Sequence, residues 1–515
     1  MRRSSFPPYL VVGQGQLLGF PEADESPLTV EALAAALTDD FAIEFGPPSV
    51  VHGADLDTFD RRLGAAGFSL HHLSDPAGQQ LVLIPPGAHA PLTMPVTNAH
   101  WPALVTALPA GAVRDELAPL VTIRALMVLD ERDHRIRHGE LRNEDQKILA
   151  RLQLIEQAAD APAWLSVNPL RGYGGDTRRA VRLLTAAGFP PIRPVQVALT
   201  RNDTGVRQVR IERSAPAITL LVAAWSEHLA VMRANLPGVL DDVDTEFLHD
   251  FRVALRRTRS ILKLGRAALP KDVSDRWEPD LKWLGDLTTP VRDLDVYELG
   301  LPEMAGWLKA AGPADLQTFA VQLRRHRSAA RRTLVRGLRS ARFRNVLSGW
   351  ADVLADLAGP PPGQASGLTV GELANRSIGR AYRRVVRGGA DIDQGTPAEA
   401  LHSLRKRCKE LRYALELFAP ISDRAARKRV VADLKDLQDV LGRFQDADVQ
   451  KQTLYRFAEQ MREAHAPTKA LLAMGELVSH LDADQQRARG EFDRAFARFS
   501  RPAGRTRIRL LRVGR

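Results

Sequence analysis

The stretch Phe247–Lys263, FLHDFRVALRRTRSILK, occurs twice in this chain, and its second copy at Leu401–Leu417 reads LHSLRKRCKELRYALEL. His249 aligns with His402, Arg252 with Arg405, Arg256 with Lys409 and Arg259 with Arg412, at an offset of 153 residues. The same offset carries LKWLGDLTTPVRDLDV (Leu281–Val296) onto LKDLQDVLGRFQDADV (Leu434–Val449), so that Asp293 meets Asp446 and Asp295 meets Asp448. Two copies in register over that distance imply a duplicated unit, folded twice.

Each copy predicts a helix. At ~100° per residue His249, Arg252, Arg256, Arg259 and Lys263 fall on one arc, with Leu248, Phe251, Leu255 and Leu262 beside it. In the second copy His402, Arg405, Lys409, Arg412 and Tyr413 make the polar arc, and Leu404, Leu411 and Leu415 the apolar one. Each helix thus has one side for a core and another with a histidine at the head of a ladder of cations. Like charges at i,i+3 and i,i+4 repel on an isolated helix, so acidic helices or an acidic ligand should face them.

Charge is unevenly spread along the 515 residues. The net of +11 divides into −5 over residues 1–200 and +16 over residues 201–515. A basic region after an acidic one points to a polyanionic partner: nucleic acid, an anionic membrane or a phosphate polymer. A length of 515 residues allows two or three domains. The single cysteine, Cys408, excludes an intramolecular disulfide framework and a cysteine-clustered zinc site, and reads as core filler. The N-terminus is a poor signal peptide, and no apolar run approaches the ~20 residues that span a bilayer. The expectation is a soluble cytoplasmic protein with no membrane partner.

Residues 1–210 read as an antiparallel sheet or barrel with a few helices. β-prone runs recur at Phe41–Phe45, Leu81–Ile84, Val121–Leu129, Ile192–Thr200 and Val206–Glu212, with helices at Val30–Leu37 and Thr177–Ala187. From Ala215 the pattern is helical. Thr288-Thr289-Pro290 is expected to separate a helix at Leu281–Leu287 from one at Asp293–Leu299, and further helices are expected at Asp315–Leu338, Val370–Val386, Asp423–Leu441, Ala447–His465 and Leu471–Phe499. Residues 359–367, rich in Pro and Gly, form a flexible joint between halves 215–358 and 368–500, and the arginine-rich residues 501–515 a mobile tail.

Other helices carry cationic stripes: Arg376, Arg380, Arg383 and Arg387 on one, and Arg324, Arg327, Arg331 and Arg332 on another. For a lone stripe a solvated face with local salt bridges is favoured. Recurrence in two repeats tips the reading toward a basic groove, where guanidinium forks donate paired hydrogen bonds to phosphate oxygens. Asp293, Asp295, Asp446 and Asp448 are expected to orient those cations rather than to bind metal. No nucleophile accompanies His249 or His402, so binding rather than catalysis is expected.

The paired His-x-x-Arg helices, followed by RDLDV and QDADV, resemble the CHAD domain, the conserved-histidine α-helical domain, over residues 215–500. The resemblance implies an all-α domain of two pseudo-symmetric four-helix bundles with a basic groove between them that binds inorganic polyphosphate. The residues it points to are His249, Arg252, Arg256, Arg259 and Lys263 in the first half, and His402, Arg405, Lys406, Lys409, Arg412 and Tyr413 in the second. Arg327, Arg331, Arg376, Arg380 and Arg383 join them from the intervening helices. Residues 1–210 resemble a degenerate CYTH domain, an α+β tunnel barrel: Asp57, Thr58, Asp60, Arg62, Leu63, Gly67 and Leu70 match its DTxDxRLxxxGxxL segment, Arg124 a strand arginine, and Pro169–Tyr173 a late segment. Its metal-binding ExExK strand has no counterpart, and His71-His72-Leu73 stands where a basic triplet is expected. The reading that follows is a polyphosphate-binding, granule-associated cytoplasmic protein with no cofactor, no resident metal and a pseudoenzyme N-terminal domain. The alternatives are a metal-dependent inorganic triphosphatase and a general nucleic-acid or polyanion binder, the latter disfavoured because the basic helices hold few aromatics beyond Tyr382 and Tyr413.

Overall fold

A computed structural model describes residues 16–18, 30–37, 41–87, 91–157, 164–189, 191, 211–359, 367–393 and 395–513. Its contacts divide the chain into two compact units, Met1–Gly205 and Val206–Arg515. The strand expected at Ile192–Thr200, most of that at Val206–Glu212 and the joint at 360–366 lie outside the described residues.

The first unit is a curled antiparallel sheet. Its strands are β1 (Gln16–Leu18), β2 (Ala42–Phe45), β3 (Ser49–Thr58), β4 (Ser69–Asp75), β5 (Gly78–Ile84), β6 (Leu92–Val96), β7 (Ala103–Leu104), β8 (Ala125–Arg142), β9 (Ile148–Gln157) and β10 (Trp164–Pro169). The order is β1-β10-β9-β8-β3-β4-β5-β6, with β2 and β7 also paired to β8. Four helices accompany it: α1 (Val30–Ala35), α2 (Arg62–Ala65), α3 (Ala112–Val121) and α4 (Gly174–Ala186). Leu56, Leu70, Leu81 and Leu83 alternate inward to pack on Leu117 and Val121 of α3, while Leu152, Leu154 and Leu165 pack on Leu33 of α1 and on Val181 and Leu184 of α4. The run expected as a strand from Val121 is divided, since Val121 ends α3 and β8 begins at Ala125.

The second unit is all helical: α5 (Ala217–Asp241), α6 (Thr245–Gly265), α7 (Lys271–Trp307), α8 (Gln317–Leu338), α9 (Ala341–Ala358), α10 (Val370–Ala390), α11 (Ala398–Leu417), α12 (Arg424–Glu463), α13 (Thr468–Ser500) and α14 (Pro502–Val513). The offset of 153 carries the first residues of α5, α6 and α7 onto the first residues of α10, α11 and α12. Backbone bonds across the pseudo-twofold obey it too. Ala217 N donates to Leu368 O at 2.9 Å and Val370 N to Ala215 O at 2.8 Å, leaving Pro216 and Thr369 bridged between them. Each half is four successive helices with a fifth, α9 or α14, against the first of them. One core joins the halves at the far end, where Tyr297, Phe319 and Leu323 meet Leu454, Phe457 and Leu477.

Four features depart from the sequence expectations. Helix α7 runs unbroken through Pro290. A proline removes a single backbone bond, here the one to Asp286 O; the turn before it also carries side-chain bonds, from the Thr288 hydroxyl to Leu284 O (3.1 Å), the Thr289 hydroxyl to Gly285 O (2.8 Å) and Arg252 Nη1 to Gly285 O (3.3 Å). Helix α12 is likewise continuous over 40 residues, where two helices were expected. The basic tail is the helix α14, anchored by buried Ile508 and Leu511. Helix α5, finally, is long and apolar enough to cross a membrane by length and composition. Here Leu220, Leu221, Trp225, Leu229 and Met232 are buried, Trp225 packing edge-on against Trp350 of α9 with centroids 5.4 Å apart.

Candidate functional site

Helices α6, α10 and α11 enclose a cleft of about 490 Å³ between the two halves of the helical unit. Helix α6 starts where Asp244 accepts from the amides of Glu246 (2.9 Å) and Phe247 (3.2 Å), satisfying first-turn donors. Helix α10 starts with a reciprocal cap between Thr369 and Glu372. Gly238 lets α5 approach α6, since a Cβ there would sit inside the Phe247 ring.

From α6 the cleft takes Arg256, Arg259, Ser260 and Lys263; from α10, Ser377, Arg380, Ala381 and Arg384; and from α11, Lys406, Lys409, Glu410 and Tyr413. Each set has spacing i, i+3, i+4, i+7, the stripe of one helix face. Seven cations thus meet one carboxylate, and Glu410 is itself paired with Arg384 at 2.8 Å. Lys263 reaches Glu278 at 3.6 Å. Among the described residues Arg256, Arg380, Lys406 and Lys409 make no ion pair. Burial, followed by the charges of Arg405 and Arg256, lowers the Lys409 ammonium to about 8, with Asp446 opposing the shift.

The remaining residues singled out from the sequence lie around the cleft rather than on its wall. Arg252 is drawn to α7, donating to the hydroxyls of Thr288 (2.8 Å) and Thr289 (2.9 Å), and burial with the neighbouring Arg256 lowers it to about 10. Its repeat equivalent Arg405 reaches Asp446 at 3.1 Å. Arg412 bonds Glu416 at 2.9 Å. Burial, then Arg292, keeps His249 below its ordinary value, and burial, then Lys406, does the same for His402. Both shifts favour the neutral imidazole.

Arg327 and Arg331 are anchored away from the cleft. Arg327 grips buried Asp295 at 2.6 Å and Asp242 through two bonds of 2.8 Å, while Arg331 donates to Leu240 O at 2.7 Å and pairs with Asp242 at 3.0 Å. Arg376 and Arg383 stand exposed on α10, outside the lining. Arg384 is the cation the sequence reading missed. The sequence stripe runs through Arg376, Arg380, Arg383 and Arg387, whereas the cleft face is turned to Ser377, Arg380, Ala381 and Arg384; the small residues Ser377 and Ala381 mark that face. Cys408 is buried, which pushes its thiol up to about 12.

In the first unit the DTFDRRL segment is a self-bonded turn. The Asp57 carboxylate accepts from the amides of Thr58 (2.7 Å), Leu63 (2.9 Å) and Gly64 (3.0 Å), and Asp60 takes Thr58 Oγ1 at 2.7 Å and Arg62 Nε at 2.9 Å. Arg124 is 1% exposed, with Nε 3.6 Å from Asp60. Burial tends to raise Asp60, but the bonds from Thr58 and Arg62 and the charges of Arg124 and Arg62 bring it below the usual carboxylate range. Among the described residues no group of three or more His, Cys, Asp or Glu could hold a metal ion.

A family model described as the CHAD domain matches residues 223–455, the span that builds α6, α10 and α11. The helical unit contains a CHAD domain. An uncharacterized protein of Mycobacterium tuberculosis is 26% identical over 288 residues, covering 55% of this chain and 53% of the relative. The chain therefore spans about half the length of the curated relatives it matches. The crystal structure of the CHAD domain from the plant Ricinus communis is similar with a TM-score of 0.48 and 22% identity, covering 58% of this chain and 96% of that one. A structure described as a candidate adenylate cyclase from Vibrio parahaemolyticus is similar with a TM-score of 0.23 and 12% identity, covering 37% of this chain and 99% of that one.

Proposed function

We propose that the CHAD domain binds inorganic polyphosphate in the cleft between α6, α10 and α11. The observation that carries this reading is the set of cations on a concave wall that make no ion pair among the described residues, Arg256, Arg380, Lys406 and Lys409. Packing cations together costs free energy through repulsion and desolvation, which a bound polyanion would offset. Among the described lining residues Tyr413 is the one aromatic ring, so base stacking has little to work with and an inorganic chain suits the wall better than single-stranded nucleic acid. On this reading the protein accompanies polyphosphate in the cytoplasm, on granules where these form, and a fluorescent fusion should follow the polymer.

The deciding experiment is competition. Labelled long-chain polyphosphate bound to the protein is challenged with DNA and with tripolyphosphate across a salt series. Tight polyphosphate binding that DNA displaces only in large excess supports the proposal. Equal competition by DNA would make the cleft a general polyanion surface. Phosphate release from tripolyphosphate with Mg²⁺ or Mn²⁺ tests the triphosphatase alternative; a flat trace is expected, since the described carboxylates of the first unit form no metal-holding group.

A further inference from the structure

Two adjoining hollows open on one face of the sheet in the first unit, of about 640 Å³ and about 400 Å³, and share His138 and Gln153. The strand register sets the larger one in two transverse rows. Asn168 of β10 stands opposite Arg151 of β9, Arg151 opposite Glu140 of β8, and Glu140 opposite Glu44 of β2. Two residues along, Ser166 stands opposite Gln153, and Gln153 opposite His138. Opposed residues, and residues two apart on a strand, project from the same face of a sheet, so both rows line one surface. The smaller hollow continues that surface with apolar Val51, Leu73, Pro95 and Ile136.

Charge on this surface is balanced. Glu44 and Glu140 are directly opposed like charges, which repel. Arg142 bonds Glu140 at 2.7 Å and stands 3.9 Å from Glu44. A phosphate chain here would lie against both carboxylates, so the surface does not suit the polyanion proposed for the cleft. The second guanidinium, Arg151, is exposed and makes no ion pair among the described residues. An exposed arginine without a partner is ordinary; what lies beside this one is not. The side-chain oxygens of Gln153 and Asn168 are buried with no hydrogen-bond partner, the Asn168 amide nitrogen being spent on Ser166 Oγ at 3.2 Å. Buried acceptors are ordinarily satisfied. These two flank Arg151, Asn168 across the strand pair and Gln153 two residues along β9. A fork that takes a carboxylate thus adjoins two acceptors that call for N–H donors, with an apolar wall next to them.

We infer that this surface binds a free α-amino acid with an apolar side chain. The carboxylate lies on Arg151, the ammonium donates to the Gln153 and Asn168 oxygens, and the side chain enters the hollow of Val51, Leu73, Pro95 and Ile136. An anion and N–H donors on neighbouring atoms satisfy both requirements at once. A bare carboxylate leaves the amide oxygens orphaned, and a bare amine leaves Arg151 without its anion. The inference concerns the first unit and stands apart from the polyphosphate reading of the helical one.

Calorimetry on the full chain, with L-leucine and L-phenylalanine as probes, tests it. Isocaproate, which is leucine without its ammonium, and isoamylamine, which is leucine without its carboxylate, should each bind at least roughly tenfold more weakly than leucine, since each leaves polar groups of the site unpaired. Glycine, which has no side chain to bury, should also bind roughly tenfold more weakly or worse. Arg151→Gln and Gln153→Leu should each weaken leucine binding by roughly tenfold or more, with melting curves that stay near the wild type. Tripolyphosphate should leave leucine affinity unchanged. Binding of neither amino acid by the wild type overturns the inference, as does leucine affinity that survives both substitutions. Displacement of leucine by tripolyphosphate would make the surface a phosphate site and overturn it too. Should either variant fail to fold, the ligand series on the wild type decides alone: isocaproate binding as tightly as leucine refutes the ammonium contact and with it the inference.

Discussion

Replacing Lys409 by arginine should remove most of the pH dependence of polyphosphate binding between pH 7 and 9. In the free protein the Lys409 ammonium is lowered to about 8, because it is buried and stands beside Arg405 of its own helix and Arg256 of α6, with Asp446 of α12 too weak to restore it. At that value about nine in ten molecules carry the charge at pH 7 and about one in ten at pH 9. A polyanion on the cleft wall favours the protonated form. Binding near pH 8 should then draw in roughly half a proton, and wild-type affinity should fall about tenfold from pH 7 to pH 9 through this group alone. Burial lowers His249 and His402 as well, which favours their neutral forms in the free protein. Arginine at 409 keeps its charge throughout. Calorimetry in two buffers of different ionisation enthalpy reads the proton uptake, and titrations at three pH values read the slope. A wild type whose affinity is flat over this range, or an arginine variant with the same slope, would refute the reasoning. The sign for stability is separate: the fold disfavours charged Lys409, so Lys409→Met should be the more stable protein below pH 8. That advantage should shrink as pH rises from about 8 toward 10.5, the ordinary lysine value, where the wild-type side chain is neutral too.

Arg327→Ala should destabilise the helical unit by about 3–5 kcal/mol in denaturant unfolding, because it strands the carboxylate of Asp295, which is 1% exposed. The same variant should leave polyphosphate affinity near that of the wild type, as Arg327 lies off the cleft; a selective loss of binding without a loss of stability would contradict this placement. Truncation after Ser500 removes buried Ile508 and Leu511, at about 1.5–3 kcal/mol each, and should lower the melting temperature. An unchanged melting curve would mean that α14 does not hold α10. Truncation is for that reason a poor control for polyphosphate binding, and single substitutions at exposed Arg505 or Arg509 serve better.

The repeat was legible because two helices of one fold need the same apolar positions, and Leu255, Leu262, Leu411 and Leu415 are buried as the pattern requires. The α6 face of the cleft was legible for the same reason: Arg256, Arg259 and Lys263 lie along one edge of that apolar arc. On α10 and α11 the sequence shows an amphipathic helix but not which flank of its polar arc a neighbouring half will cover. The cleft consequently turns to Arg384, which the sequence pattern does not single out, and to Lys406, which it does, and leaves Arg383 and Arg405 off the wall. The break expected at Pro290 does not occur because a proline forfeits one backbone bond, which a helix of 37 residues packed against α6 and α8 tolerates, and that packing is not displayed by any local pattern. In the tail, arginine density hid Ile508 and Leu511, one helical turn apart and both buried.

The reciprocal bonds around Pro216 and Thr369 have a consequence for assembly. Each half supplies an amide and a carbonyl to the other in the same geometry, which is the self-complementary contact of a symmetric homodimer. The CHAD domain is in that sense two protomers fused head to tail, held together at a fixed effective concentration by the chain that joins them. Fusion frees the two partners from being identical. A true homodimer would have to present the same residues on both copies of its first helix, whereas the covalent pair places exposed Ala230 and Ala234 on α5 where α10 has exposed Arg383 and Arg387, 153 residues on, so that a twofold scaffold presents a surface with a direction.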